Sequence, residues 1–319
     1  MPTNRSNISS LTRQYLVARR PFLKESSYAH YVELAENYIE PYVGKLLFEE
    51  LDNNTAVKYV SQLKTNGKTS GKGGLSDKTI RDVCSLLKSV YNLASENGKC
   101  PSDIRFPRFA IAKSSRTKSQ ILTSEHQKQL EAYLMNNRCP ENLGIMLCLY
   151  TGMRIGEICA LKWSDVDLDS CLINVNKTVL RIRNTQVRGK QPKTVIVTGT
   201  PKTESSQRTI PMPKVIGELL KTEGKHLSGD YYVATCSTRL MEPRRYYEKY
   251  KTILRKCGIT RNYTFHALRH TYATRCIESG IDPKVVSELL GHSSVTITLN
   301  RYVHPTMEMK KRCVERLIR

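Results

Sequence analysis

Apolar residues recur at helical spacing along most of the chain, and turn residues fill the gaps between them. Tyr28, Tyr31, Val32, Leu34, Ala35 and Tyr38 predict a helix over 24–38. Pro41 and Gly44 read as a turn, and Ala56, Tyr59, Val60 and Leu63 mark a short amphipathic helix over 55–63. A basic, glycine-rich loop, KTNGKTSGKGG, comes next. Ser76 then caps a stronger helix over 77–97, with Ile80, Val83, Leu87, Val90, Tyr91 and Ala94 as its core face and Gly98 as its stop. Residues 1–23 are polar and predict a flexible lead-in. The pattern gives a small all-α domain over 24–103, then an interdomain linker over 104–120 marked by Pro107 and the run KSSRTKSQ.

A second domain, expected over 121–305, mixes the helical and strand periods. Thr123 opens a helix that reaches Asn136, the apolar run over 141–151 is another, and Gly152 turns the chain into a third. Arg154 and Glu157 lie three apart on that third helix and share a face. Residues 171–183 alternate β-branched and polar side chains and predict a strand. Two more are expected at 195–198 and 207–211, with TGTPKTESS as the turn between them. Helices are expected over 213–220 and 243–257. Three short helices then follow in TFHALRHTYATRCIESGIDPKVVSELLGHSSVTITLNRYVH. Thr264 is the N-cap of the first, Leu268, Tyr272 and Cys276 its buried stripe, and Gly280 its stop. Asp282-Pro283 starts the second and Gly291 ends it; Ser294 caps the third, with Tyr302 in its last turn. These helices converge His266, Arg269, His292 and Tyr302, residue types that suit an anion and a nucleophile. The tail over 306–319 is helical but too poor in apolar residues to form a core alone. The fold class is mainly α with a small antiparallel β-sheet.

Charge narrows the partner. Lys and Arg number 51 against 29 Asp and Glu, a net charge of +22. Such an excess fits a polyanion, since each phosphate neutralised releases counterions. Nucleic acid is the expected partner. Ten cysteines are scattered without a CxxC pair, which suggests neither a zinc site nor a disulfide framework, so they read as buried thiols of a reducing cytosol. No signal peptide or membrane-spanning run is present. A cytoplasmic protein is expected, nucleoid-associated if bacterial. No P-loop and no clustered carboxylates occur, so no metal or other cofactor is expected.

HALRH, LGH and a tyrosine ten residues after that histidine resemble the C-terminal motifs of the tyrosine recombinases. TGMRIGEICALKW resembles the first arginine box of that family, and KTESSQRTIP resembles its β-hairpin. The resemblance is specific over about 120–305 and weak over 24–100. It implies an all-α core-binding domain plus an α+β catalytic domain, forming a clamp around DNA. It also implies site-specific strand exchange of a mobile element through a covalent 3′-phosphotyrosyl intermediate, without ATP. Arg154 and Arg269 are the implied phosphate ligands, joined by His292, with Glu157 supporting Arg154. Tyr302 is the implied nucleophile, His266 the base, and Lys202 the acid toward the leaving 5′-oxygen, with Lys190 and Lys193 as fallbacks. His270 and His304 are assigned structural roles, His270 because it points to a different face from Arg269. Expected DNA contacts are Lys68 and Lys72 in the glycine-rich loop, Lys113, Arg116 and Lys118 in the linker, and Arg244, Arg245 and Lys249 on the helix over 243–257.

The implied assembly is a homo-tetramer on two duplexes from a chain monomeric in solution, with accessory DNA-bending or excision factors as further partners. The tail is expected to dock on a neighbouring protomer or on its own domain. Motif wording and the GKGGLS loop point to a transposon-type integrase. Only some 20 residues precede the helical domain, so the expectation is a chain lacking the arm-binding domain of such integrases, or truncated of it. Two alternatives stay open. One is a type IB-like topoisomerase, which uses similar catalytic residues. The other is a non-catalytic DNA-binding regulator, because ESGIDPKVVSELLGHSS also resembles a helix-turn-helix.

Overall fold

The computed structural model describes residues 6–71, 73–99, 120–185, 192–201, 204–303 and 314–315. The chain divides into two compact units, one of residues 1–117 with 182–195 and the other of residues 118–181 with 196–319.

The first unit is built on α1 (Ile8–Arg19), α2 (Glu25–Leu34), α3 (Asn53–Asn66) and α4 (Asp77–Glu96). The expected caps hold: Ser76 Oγ accepts from Thr79 N–H, and the buried face of α4 carries all six predicted core residues. A π-helical turn over Ala35–Ile39 extends α2, placing Ala35 and Ile39 in the same core. The flexible lead-in expected over 1–23 is corrected over Ile8–Arg19. Asn7 caps that helix by accepting from Ser10 N–H at 2.8 Å, and Ile8, Leu11, Tyr15 and Leu16 bury one stripe in the core. Ser, Thr and Arg between those positions hide the stripe in a composition-based reading. α1 packs on α4, and Ile8 N–H donates to Leu46 O at 2.8 Å.

The second unit centres on α6 (Pro140–Thr151), which is apolar on all sides and therefore buried. Around it lie α5 (Ser124–Asn136), α7 (Ile155–Ala160), α8 (Lys214–Gly224), α9 (Pro243–Lys256) and α10 (Phe265–Glu278). The strand expected over 171–183 is two strands, β2 (Leu172–Val175) and β3 (Thr178–Arg183), in different sheets. The break falls at Asn176, whose side-chain amide donates to Asp165 Oδ1 at 3.1 Å instead of continuing the alternation. β2 pairs antiparallel with β1 (Val166–Asp167) and with β5 (Arg208–Pro211), in a register that sets Ile173 opposite Ile210, both fully buried. β3 pairs with β4 (Thr194–Gly199). β4 and β5 are therefore not the adjacent strands of one hairpin; β5 joins the sheet of β2.

α11 (Pro283–Leu290) and α12 (Val295–Tyr302) fold back on α10. Asp282 and Ser294 cap them as expected, accepting from Lys284 N–H and Thr296 N–H. Together the three helices enclose a small core of Ala273, Cys276, Val286, Leu290 and Tyr302. The expected tail helix lies outside the described residues except at 314–315.

Because Ile8 is fully buried, Ile8→Ala is expected to destabilise the protein by about 2–5 kcal/mol. Urea unfolding measures this; a change below about 0.5 kcal/mol would restore the flexible lead-in.

Candidate active site

The site is assembled on the last turn of α11. Carbonyls at a helix C-terminus have no N–H ahead of them in the helix. Three consecutive ones here each accept from a different arginine. Arg208 Nε donates to Leu289 O at 2.7 Å, Arg269 Nη2 to Leu290 O at 2.7 Å, and Arg154 Nη2 to Gly291 O at 3.2 Å. The helix stops because Gly291 is left-handed, with φ +64°. A Cβ there would also lie 2.9 Å from Ser205 O and 3.1 Å from the Arg208 side chain, so space as well as conformation requires glycine. Gly152 ends α6 in the same way at φ +65°, and its carbonyl accepts from Arg269 Nη1 at 2.8 Å.

Glu157 lies among these arginines and is 2% exposed. Its carboxylate accepts from Arg154 N–H at 2.8 Å, Arg154 Nη1 at 2.7 Å, and Arg208 Nη2 and Nη1 at 3.0 and 3.3 Å. Burial works to raise its pKa, but Arg208 and Arg154 outweigh burial and hold it below the usual carboxylate range. Three guanidiniums against one carboxylate leave the cluster cationic. Burial, followed by Arg154, lowers the Arg269 guanidinium to about 9, still charged at neutral pH. Arg269 is 1% exposed, whereas the Arg154 side chain keeps 36% of its surface and faces solvent.

Tyr302 closes α12 with its ring buried and its Oη 2.7 Å from His270 Nδ1. Burial raises its phenol above the ordinary value, against the opposing pull of Arg269 and Arg301. His292 follows Gly291 directly. Its Nδ1 lies 2.8 Å from Thr298 Oγ1, and its ring stacks nearly parallel to Tyr302 at 6.4 Å and 6°. His266 stands one turn before His270, exposed, with its ring edge-on to that of His270 at 4.4 Å. Although His266 keeps an exposed edge, desolvation of its ring against the protein and the neighbouring arginines lower it to about 4; burial and neighbouring groups lower His270 and His292 to about 3. All three imidazoles are neutral at pH 7.

Arg154, Glu157, His266, Arg269, His292 and Tyr302 thus meet within one unit. Lys202 and Lys190 lie outside the described residues; Lys193 precedes β4. Of the expected DNA contacts, Lys72, Lys113, Arg116 and Lys118 also lie outside them. Lys68 is exposed in the loop after α3, and Arg244 and Arg245 are exposed on α9. Lys249, on the same helix, is paired with Glu141.

Residues 120–309 match the family model described as the phage integrase family. The chain belongs to that family. A XerC-like tyrosine recombinase of Caldanaerobacter subterraneus subsp. tengcongensis is 28% identical, the match covering 94% of this chain and 78% of the relative. The transposase of transposon Tn916 from Enterococcus faecalis is 26% identical over 77% of this chain, and the match spans only 63% of that relative's length. Among solved structures, the Tn1549 transposon integrase in complex with a circular intermediate DNA superposes with a TM-score of 0.76. It is 22% identical, and 98% of this chain and 99% of that one are covered. A lambda integrase tetramer bound to a Holliday junction gives a TM-score of 0.65 at 18% identity, over 94% of this chain and 78% of that one. The chain is thus a tyrosine recombinase, a DNA recombinase enzyme.

Two residues of this cluster are not expected from the sequence. Arg208 sits on β5 two residues before Ile210, hence on the core-facing side of the strand. That placement demands a carboxylate partner and was the available signal. His270 does point away from Arg269, but α12 returns along that side and brings Tyr302 to it. Its signal was the four-residue step from His266, which puts both rings on one face.

The pH dependence follows from His270. Its folded value of about 3 lies below the ordinary 6.5, so the unfolded chain takes up this proton first as pH falls. The stability associated with the neutral ring is complete above pH 6.5 and is lost as pH falls toward 3. Urea unfolding between pH 7 and 5 is expected to show a shallower loss in His270→Gln than in the wild type, by up to about 1.4 kcal/mol per pH unit. Equal slopes would contradict a buried, neutral His270.

Proposed function

We propose that this recombinase cuts DNA with Tyr302, holds the broken strand as a 3′-phosphotyrosyl link and passes it to a 5′-hydroxyl of a second duplex. The observation that carries this reading is the buried tyrosine lying beside a cationic cluster within the same unit. Planar guanidiniums stay charged and offer several N–H donors to phosphate oxygens. Arg154 and Arg269 are the phosphate ligands in this reading, with His292 as a further neutral donor and Glu157 as the anchor of Arg154. Preorganised charge of this kind stabilises a phosphorane without reorganisation at the moment of reaction. The phenol proton passes to a histidine of α10, and the leaving 5′-oxygen takes its proton from Lys202. Since the phosphotyrosyl link keeps the bond energy, rejoining requires no ATP.

The chain then acts on the crossover sites of a mobile element and its target, as integrase or excisionase. The tetramer on a Holliday junction, recorded for lambda integrase, supports a homo-tetramer on two duplexes here. The helical unit serves as the core-binding domain, and Lys68, Arg244 and Arg245 supply phosphate contacts. The place of action is the cytoplasm, at the nucleoid in a bacterial host.

A nicked duplex that traps the covalent intermediate tests this. Wild type is expected to form a protein–DNA adduct stable in denaturing gels, and Tyr302→Phe none, with its gel-shift affinity retained. Arg154→Ala is expected to slow adduct formation by roughly 10²–10³-fold. An adduct of equal yield from Tyr302→Phe would overturn the assignment.

A further inference from the structure

α10 carries two histidines one turn apart, and they differ in what they touch. His266 is exposed at the N-terminal end of the helix, and its ring meets the His270 ring edge-on. His270 is 7% exposed, and its Nδ1 lies 2.7 Å from Tyr302 Oη. Among the described hydrogen bonds, Tyr302 is joined to His270 and not to His266. This is the reach that a general base needs, and it is made to the atom that would attack phosphorus.

We propose that His270 is a catalytic residue: it takes the phenolic proton of Tyr302 during cleavage and returns it during rejoining. The inference rests on Tyr302 being the nucleophile. In the required tautomer His270 carries its hydrogen on Nε2 and accepts from Oη through Nδ1. As the Oη–P bond forms, the Oη–H bond breaks and its proton moves to Nδ1. The P–O5′ bond breaks with its electron pair on the 5′-oxygen, which is protonated by the general acid, Lys202 in the reading above. In the reverse step the incoming 5′-hydroxyl attacks phosphorus and gives its proton to the neutral amine left on Lys202, while the Oη–P bond breaks and the imidazolium of His270 returns its proton to Oη.

The surroundings fit a transient rather than a resting imidazolium. His266 and Arg269 from α10, Arg301 from α12 and His292 after α11 all disfavour charge on His270, and burial does so more strongly. The ring is therefore neutral and ready to accept before DNA binds. Bound phosphate, and more so the phosphorane, brings negative charge that offsets Arg269 and Arg301 as the proton moves. A buried phenol with its pKa raised needs an acceptor already in contact. His266, at the solvent edge, is left to face the phosphate.

Single-turnover adduct formation on a nicked duplex carrying the element's own junction tests the proposal. Wild type, Tyr302→Phe, His266→Ala, His270→Ala and His270→Asn are compared with and without added imidazole. His270→Ala is expected to react about 10²–10⁴-fold more slowly, to bind the duplex as wild type does, and to recover part of its rate with imidazole. His266→Ala is expected to show no such rescue. An adduct rate in His270→Ala within threefold of wild type overturns the proposal, as does a loss that imidazole fails to restore in protein that melts like wild type. If His270→Ala does not fold, His270→Asn is judged by the same rates and the same rescue. Absence of adduct from wild type itself overturns the nucleophile assignment, a result distinct from failure of His270 alone.

Discussion

A buried carboxylate and the open end of one short helix hold this site together. Glu157 is fixed by Arg154 from its own turn and by Arg208 from a strand some fifty residues away. The same two arginines, with Arg269, then reach the last carbonyls of α11. Cations are favoured there because the helix C-terminus carries partial negative charge and unpaired acceptors. Each arginine is thus pinned at two places, and segments distant in sequence meet in one geometry. Neither glycine turn is free to vary. Gly152 and Gly291 supply both left-handed stops and acceptor carbonyls, and Arg208 packs against the position where a Gly291 side chain would lie.

This scaffold also sets the charge state of the reacting groups. Burial first, and then the charged arginines with only one carboxylate among them, hold His266, His270 and His292 neutral, and the site has an unmet preference for an anion. A phosphate diester supplies that anion, and the energy of charging the site in advance is met by folding rather than by the reaction. Burial of Tyr302 works the other way, raising its phenol so that it stays protonated in the free protein. In the proposed reaction the two effects together favour attack on bound DNA and suppress a reactive phenolate in the free protein.

Much of this was legible in the sequence because it is local. Ser76, Thr123, Asp282 and Ser294 cap helices where their spacing predicts, and each accepts from a backbone N–H two or three residues on. Thr264 occupies the N-cap position without such a bond. The motifs around Arg154, Arg269, His292 and Tyr302 marked residues that the fold brings together. What escaped was non-local or masked by composition. α1 hides four buried apolar residues among hydroxyls and arginines. β5 pairs with β2 rather than β4, a choice made by burial of Ile173 and Ile210 that no turn signal encodes. Arg208 reads as a surface cation until the strand face is known. His270 reads as structural because neighbours on a helix point apart, yet α12 crosses the face to which it points.

The dependence of the whole arrangement on the Glu157 carboxylate is tested most directly by a double-mutant cycle on unfolding free energy. The four proteins are wild type, Glu157→Gln, Arg208→Met and the double variant. Each single change is expected to destabilise by about 3–5 kcal/mol, because it leaves a buried charge without its partner. The double variant is expected to lose less than the sum by about 2–3 kcal/mol, a coupling at the strong end for contacting residues. Additivity within about 0.5 kcal/mol would show that the carboxylate and Arg208 act independently, contradicting the view that this pair organises the site.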